Sequence, residues 1–368
     1  MNSKVDFLYL SEKDAIKAGV SDMHKCIEIM IEMFGLISKG DYVMGGKNQN
    51  SHGQKLFFPE RSEFENMPVK GPDRRFMSLI AYLGGRFNVC GQKWYGSNVA
   101  NREKGLPRSI LTVMLNDADT GAPLCLMSAN MLSSVRTGAV PGVGAKFLAN
   151  EDSEAVGLIG CGIINRASIL AILDVCKNVN TVKVYSRYKD SADSLCAELS
   201  EKFKVKAFHV DSVEEAVRNS DIINVATSGS APPRIEEEWL KDGVLISLPA
   251  AADLSKDFIL RTKIVVDNWK MYEAYAAELD GLPGGYSRNQ PGISGLIMDY
   301  VMVEKILPVQ KIINLGDIAA NKVKARSNKK EKIILVTDGM AAEDVAWGYH
   351  VYQNALRLGI GVRLNLFE

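Results

Sequence analysis

Apolar residues recur every three or four positions from about Ser11 to Ser38, placing Ile16, Val20, Met23, Ile27, Met30, Ile31 and Phe34 on one face. With Ser11 and Asp14 as a capping box, the pattern predicts one core-facing helix. The chain then turns polar and glycine-rich around Met44, Gly45, Gly46 and Lys47, and alternates weakly from Lys55 to Pro59. A strand pair with a functional loop is the expectation there. Met77 to Leu83 and Ile110 to Leu115 read as strands, and Leu124 to Met127 returns after a hairpin turn spanning Asn116 to Pro123. A stretch rich in small residues, Ser133 to Ala149, suits a helix packed closely against a cofactor or another backbone.

Beyond residue 150 strands and helices alternate. An apolar run, Ala155 to Ile159, meets Gly160 and Gly162, and an amphipathic segment follows from Ser168 to Cys176. Strand Thr181 to Tyr185, helix Ser191 to Lys202, strand Val205 to Val210, helix Val213 to Asn219 and strand Asp221 to Ala226 continue the series. Leu245 to Leu248 and Ile264 to Val266 add two strands. This order predicts a doubly wound parallel sheet. Asn268 to Asp299 is poorly patterned, with a turn at Gly281 to Gly285, and fits a lid or a helix pair. Strand Ile333 to Thr337, a break at Gly339, helix Glu343 to Leu358, a stop at Gly359 to Gly361 and strand Val362 to Leu366 close the chain. Val345, Ala346, Tyr349, Tyr352 and Leu356 fall on one face of that helix.

At 368 residues the chain has room for two domains. Its 44 basic and 44 acidic residues cancel, so no net field draws it to nucleic acid or to an anionic membrane. No run of 18 apolar residues and no signal-peptide core is found, which leads us to expect a cytoplasmic protein without a membrane span. The six cysteines form no C-x-x-C pair and the four histidines do not cluster, so no metal site is expected.

The loop from Gly160 through Gly162 to Ile163 and Ile164 carries the chemistry. A strand, a tight glycine turn and a helix N-terminus place backbone N–H groups and a favourable dipole against a pyrophosphate. Asn165 stands where such loops carry a third glycine, and an ordinary βα turn is the plain alternative. The next strand begins about 20 residues on, as a dinucleotide-binding βαβ unit requires. Ser186 and Arg187, at the end of that strand, suit a 2′-phosphate rather than ribose hydroxyls, and Thr227 and Ser228 follow a strand whose carboxyl end should meet ligand. Lys93 lies beside Trp94 and Tyr95, which suggests a partly dry site that tunes an ammonium; a solvated strand lysine is the plain alternative. Arg136 sits among small residues with no adjacent carboxylate, so a bound anion is a credible partner, against pairing with a distant acidic residue.

Ordered blocks bind these features together: Gly91-Gln92-Lys93-Trp94, Gly105-Leu106-Pro107, Asp117 to Pro123, Ser134 to Ala139, Leu158 to Arg166 and Gly359 to Gly361. In these blocks the chain resembles the ornithine cyclodeaminase/mu-crystallin family. The resemblance implies an α/β fold with a Rossmann NAD(P)-binding domain at 131–330 and an α+β substrate-binding and dimerisation domain built from 1–130 and 331–368, in a homodimer. It implies that Lys93 and Arg136 serve catalysis and substrate binding, and that Lys47 replaces an earlier family arginine. Ser247 is taken to stand where cyclodeaminases carry a turn aspartate, with Asp253 as a shifted substitute. Cofactor contacts fall to Thr137, Gly160, Gly162, Ile163, Ile164, Ser186, Arg187, Ala226, Thr227 and Ser228. The implied activity is an NADP-linked (alternatively NAD-linked) oxidoreductase moving hydride at the α-carbon of a small amino, imino or 2-oxo acid substrate. An ornithine cyclodeaminase and a non-catalytic NADP-dependent binding protein are the alternatives.

Overall fold

The computed structural model describes residues 4–228, 231–279, 286–287 and 292–367. In chain order its elements begin with β1 (Val5–Leu10), α1 (Glu12–Lys17), α2 (Met23–Lys39), β2 (Tyr42–Met44), β3 (Gln54–Phe57), β4 (Arg75–Leu83), β5 (Val89–Ser97), β6 (Ser109–Asp117) and β7 (Pro123–Ser128). There follow α3 (Asn130–Leu148), β8 (Ala155–Ile159), α4 (Ile163–Val175), β9 (Thr181–Tyr185), α5 (Lys189–Phe203), β10 (Lys206–Val210), α6 (Val213–Val217) and β11 (Ile222–Val225). The remainder gives β12 (Leu245–Leu248), α7 (Lys256–Arg261), β13 (Lys263–Val266), α8 (Trp269–Glu278), α9 (Ile293–Met298), β14 (Ile312–Asn314), α10 (Leu315–Ala319), β15 (Ile333–Val336), α11 (Ala341–Leu358) and β16 (Val362–Phe367).

The chain divides into two compact units, one of Met1–Asp22, Lys39–Arg136 and Met340–Glu368, the other of Met23–Ser38 and Thr137–Gly339. In the first, a mixed sheet runs in the order β16-β1-β7-β6-β5-β4-β2, with β3 also paired to β4. Strand alternation sorts its faces. Met77, Leu79, Ala81 and Leu83 of β4 and Val89, Gly91 and Lys93 of β5 point inward, where α11 covers β4, β5 and β6. Burying each of Met77, Leu79 and Leu83 contributes about 1.5–3 kcal/mol. The helix lies close because two glycines allow it. A Cβ on Gly91 would stand 2.7 Å from Cγ2 of Val345, and one on Gly348 would stand 3.2 Å from Cγ1 of Val113. Trp347 is fully buried and donates from Nε1 to the Val20 carbonyl at 3.2 Å.

The second unit is a parallel sheet ordered β10-β9-β8-β11-β12-β15-β13-β14, the doubly wound arrangement expected. Small residues let α3 press on α4: a Cβ on Gly138 would lie 2.3 Å from that of Ala167, and one on Gly142 would lie 2.6 Å from that of Ala171.

Several expectations are corrected. The helix expected from Ser11 to Ser38 is two, broken where Gly19 takes φ +89°, although the Ser11–Asp14 capping box is present. Its second half belongs to the second unit, where Phe34 carbonyl oxygen lies only 2.7 Å from where a Gly316 Cβ would be. β2 and β3 pair with β4, not with each other. The stretch 331–339, expected with the first unit, contributes β15 to the middle of the parallel sheet, so the return comes at Met340. β1 and β14 are strands that the pattern did not announce, and Leu356 is exposed rather than on the buried face of α11. Helices α8 and α9 occupy much of 268–299, whereas the turn expected at Gly281 to Gly285 lies outside the described residues.

Candidate functional site

In the parallel sheet the glycine loop joins β8 to α4. Gly160 turns with φ +97°, its N–H bonds the Tyr185 carbonyl at 2.8 Å, and a Cβ would meet Ala226 carbonyl oxygen at 2.5 Å. Only glycine fits. Gly162 is the N-cap of α4 and provides no side-chain cap, while a Cβ there would meet nothing within 4 Å. Ile163, the first residue of α4, is 65% exposed, so the helix N-terminus is open to solvent and the cradle fits a pyrophosphate. Asn165, at the third glycine position, is fully buried and clips the loop: Nδ2 donates to the carbonyls of Ile159 at 2.9 Å and Gly160 at 2.6 Å, and its Oδ1 accepts from Asn224 Nδ2 at 2.5 Å.

Neighbouring strands bring the other expected residues to the same edge. Ser186 follows β9, accepts from the Tyr188 N–H at 3.1 Å and meets Cys161 Sγ of the loop at 3.1 Å. Arg187 beside it is exposed and has no side-chain partner among the described residues. Ala226, Thr227 and Ser228 follow β11, the strand next to β8; Thr137 lies half-buried on α3.

In the first unit, Lys93 and Arg136 are both buried and share the carboxylate of Asp344, with Glu343 also on Arg136. Lys93 Nζ forms an ion pair with Asp344 Oδ2 at 2.7 Å. Arg136 Nε donates to Asp344 Oδ1 at 2.9 Å and its Nη1 to Glu343 Oε2. Glu343 Oε1 accepts the Met340 N–H at 3.2 Å at the start of α11. Two cations and two carboxylates, each at most 6% exposed, make a neutral cluster. Burial, with Arg136 beside it, brings the Lys93 ammonium down to about 8, against the opposing pull of Asp344 and then Glu343. Burial also pulls on Arg136, but the two carboxylates outweigh it and hold the guanidinium above its ordinary value. Of the two readings of Arg136, the structure has the pairing with distant acidic residues, across 207 and 208 residues of sequence. The signal available was an acidic pair, Glu343 and Asp344, among small and apolar residues in the buried first turns of α11.

A second buried carboxylate stands at the carboxyl end of the parallel sheet. Asp267 follows β13 and accepts from the N–H groups of Asn268 at 2.9 Å, Asp338 at 2.8 Å and Gly339 at 2.9 Å. Burial and then Asp338 push its carboxyl up to about 7 in spite of those bonds.

Other expected residues are placed differently. Ser247 lies within β12, not in the following turn; it is fully buried and its Oγ has no protein partner among the described residues. Asp253 is held by Arg234 Nη1 at 3.0 Å and is about half exposed. Lys47 is exposed on the loop after β2, and no contact among the described residues ties it to the Lys93 cluster. Among the described residues no cluster of histidine, cysteine and acidic side chains could hold a metal, and no helix is long and apolar enough to cross a membrane.

The sequence pattern described as the ornithine cyclodeaminase/mu-crystallin family matches residues 19–358. The N-((2S)-2-amino-2-carboxyethyl)-L-glutamate dehydrogenase of Staphylococcus aureus is 27% identical over 98% of this chain and 99% of its own. The alanine dehydrogenase of Archaeoglobus fulgidus is 29% identical over 79% of this chain and 84% of its own. Among solved structures, the Delta(1)-pyrroline-2-carboxylate reductase of Thermococcus litoralis in complex with NADH and L-proline superposes with a TM-score of 0.77 at 25% identity, covering 97% of this chain and 99% of that one. An archaeal alanine dehydrogenase dimer with bound NAD gives 0.78 at 25% identity, covering 98% and 100%.

Proposed function

The chain belongs to the ornithine cyclodeaminase/mu-crystallin family and is an NAD(P)-dependent oxidoreductase acting at the α-carbon of an amino or imino acid; we propose that it reduces an imine formed from a 2-oxo acid and an amine. The observation that carries this reading is the buried cluster in which Asp344 lies 2.7 Å from Lys93 and 2.9 Å from Arg136; burial lowers the ammonium, which brings its loss and regain of a proton closer to neutral pH. Support for an N-substituted substrate comes from the Staphylococcus relative, which spans nearly the whole chain and whose name describes such a dehydrogenase.

The bound dinucleotide supplies or accepts the hydride. The α4 N-terminus would hold its pyrophosphate, Asn165 fixes the loop, and Arg187 with Ser186 would receive the 2′-phosphate of NADP(H), for which the exposed guanidinium is the support. Lys93 hydrogen-bonds the substrate's reacting group or carboxylate and holds the proton that its nitrogen exchanges. Arg136 fixes the cluster through Nε and Nη1, and Nη2, with no protein partner among the described residues, is left for a substrate carboxylate. Ornithine cyclisation is expected to be slow, because Ser247 is buried in β12 and Asp253 is engaged by Arg234.

The proposed assembly is a homodimer through the outer face of the mixed sheet. Tyr9, Val43, Phe76, Ile80, Trp94 and Met114 are exposed there at positions alternating with the inward ones, and Phe76 stacks on Trp94 at 5.7 Å. A self-complementary apolar face of this kind suits a two-fold contact.

The test is a panel of 2-oxo acids with and without amines, followed by consumption of NADPH or NADH, beside L-ornithine with catalytic NAD. Amine-dependent oxidation of the reduced cofactor is expected. Rapid proline and ammonia formation from ornithine, with no imine reduction, would contradict the reading.

A further inference from the structure

Lys93 and Asp344 are joined by the way α11 lies on the sheet. Gly91 and Lys93 are two residues apart on the same inward face of β5, and Gly91 lets the helix approach until Asp344, next to Val345, reaches the ammonium. Among the described residues the groups facing Lys93 are few. α11 presents Asp344 and Glu343, α3 presents Arg136, the Tyr95 ring on its own strand lies 5.9 Å away, and its register partners on β4 and β6, Leu79 and Val113, are apolar. Of the two carboxylates only Asp344 touches both cations, with one oxygen on each.

We propose that Asp344 is the positioning residue for Lys93: by bridging Lys93 and Arg136 it fixes the ammonium on the inner face of β5 and keeps it cationic at neutral pH. The proposal rests on the reading of Lys93 as the substrate-facing group, yet the bridge itself is testable without turnover. A lysine buried this deeply, with an arginine beside it, would shed its proton well below its ordinary value. Asp344 is the largest influence resisting that loss, ahead of Glu343. The carboxylate therefore sets the pH above which Lys93 goes neutral, and a merely structural aspartate would not.

The experiment labels lysine at Cε with carbon-13 and follows Lys93, assigned by its absence in Lys93→Met, through a pH titration of the full chain. Wild type is expected to give a midpoint near 8. Asp344→Asn is expected to lower it by at least about one unit, and Glu343→Gln by clearly less. In the active enzyme the alkaline limb of kcat/KM moves down with the Asp344→Asn midpoint, whereas a loss of packing alone lowers rates equally at every pH. Should Asp344→Asn not fold by circular dichroism, Asp344→Glu replaces it, with a midpoint lowered by about half a unit or more. An unmoved midpoint in the folded variant, or equal shifts for the two carboxylates, overturns the proposal. Midpoints that behave as stated in a chain that turns over no imine support the bridge and count only against the proposed reaction.

Discussion

Gly91→Ala tests how the sheet and α11 deliver the charged cluster. The new methyl would lie 2.7 Å from Val345 Cγ2, 3.0 Å from Leu115 Cδ2 and 3.1 Å from the Met114 carbonyl oxygen. Val345 is fully buried and β-branched, so it cannot swing aside, and the helix must retreat by about 0.7 Å to restore ordinary contact. Overpacking of this kind costs about 1–3 kcal/mol. Asp344 moves with its neighbour, lengthening the 2.7 Å contact to Lys93 to about 3.4 Å. With an effective dielectric constant of about 20, that change weakens the attraction by roughly 1 kcal/mol, close to one pKa unit for the lysine. Chemical denaturation should therefore show the loss of stability, and the alkaline limb of the pH profile should fall by about one unit. Val345→Ala in the same chain should recover part of both, with a coupling of about 0.5–3 kcal/mol. A Gly91→Ala protein with unchanged unfolding midpoint and pH profile, or a double variant whose costs simply add, refutes the reasoning.

The other predictions concern the cofactor cradle and the assembly. Gly160→Ala meets both a positive φ, costing about 1–2 kcal/mol, and the Ala226 carbonyl, so cofactor affinity by fluorescence titration should fall at least about tenfold; near-normal affinity contradicts the cradle. Arg187→Ala should weaken NADPH by about 1.5–3 kcal/mol and leave NADH little changed, and equal losses for the two would remove the 2′-phosphate assignment. Trp94→Asp places a charge in the middle of the outer face and should convert a dimer to monomers in analytical ultracentrifugation. A dimer that persists unchanged places the contact elsewhere.

Most of the parallel sheet was legible because strands such as β8 and β15 are short apolar runs, and β9 and β12 fall where the pattern placed them, whereas the edge strand β14 did not announce itself. The glycine loop was legible for a physical reason too, since a turn that close to a neighbouring carbonyl excludes every side chain. The first unit was harder. β1 gains its place by pairing with β7 and β16, the latter more than 350 residues distant, and nothing local announces that. The long helix expected near the start is divided at Gly19, where periodicity continued across a positive φ that only the backbone reveals. Arg136 was singled out for lacking a nearby carboxylate, yet its partners arrive from α11 at the other end of the chain. Ser247 was placed in a turn by likeness, whereas four buried residues in succession make that stretch a strand.

The central claim is that Lys93 serves the substrate and not the cofactor. The direct measurement compares Lys93→Met with wild type in two assays on the same preparation, imine-dependent oxidation of the reduced cofactor and fluorescence titration of cofactor binding. Turnover is expected to be lost while the cofactor dissociation constant stays within about twofold. Retained turnover, or cofactor binding that falls in step with it, would show that Lys93 does not serve the substrate.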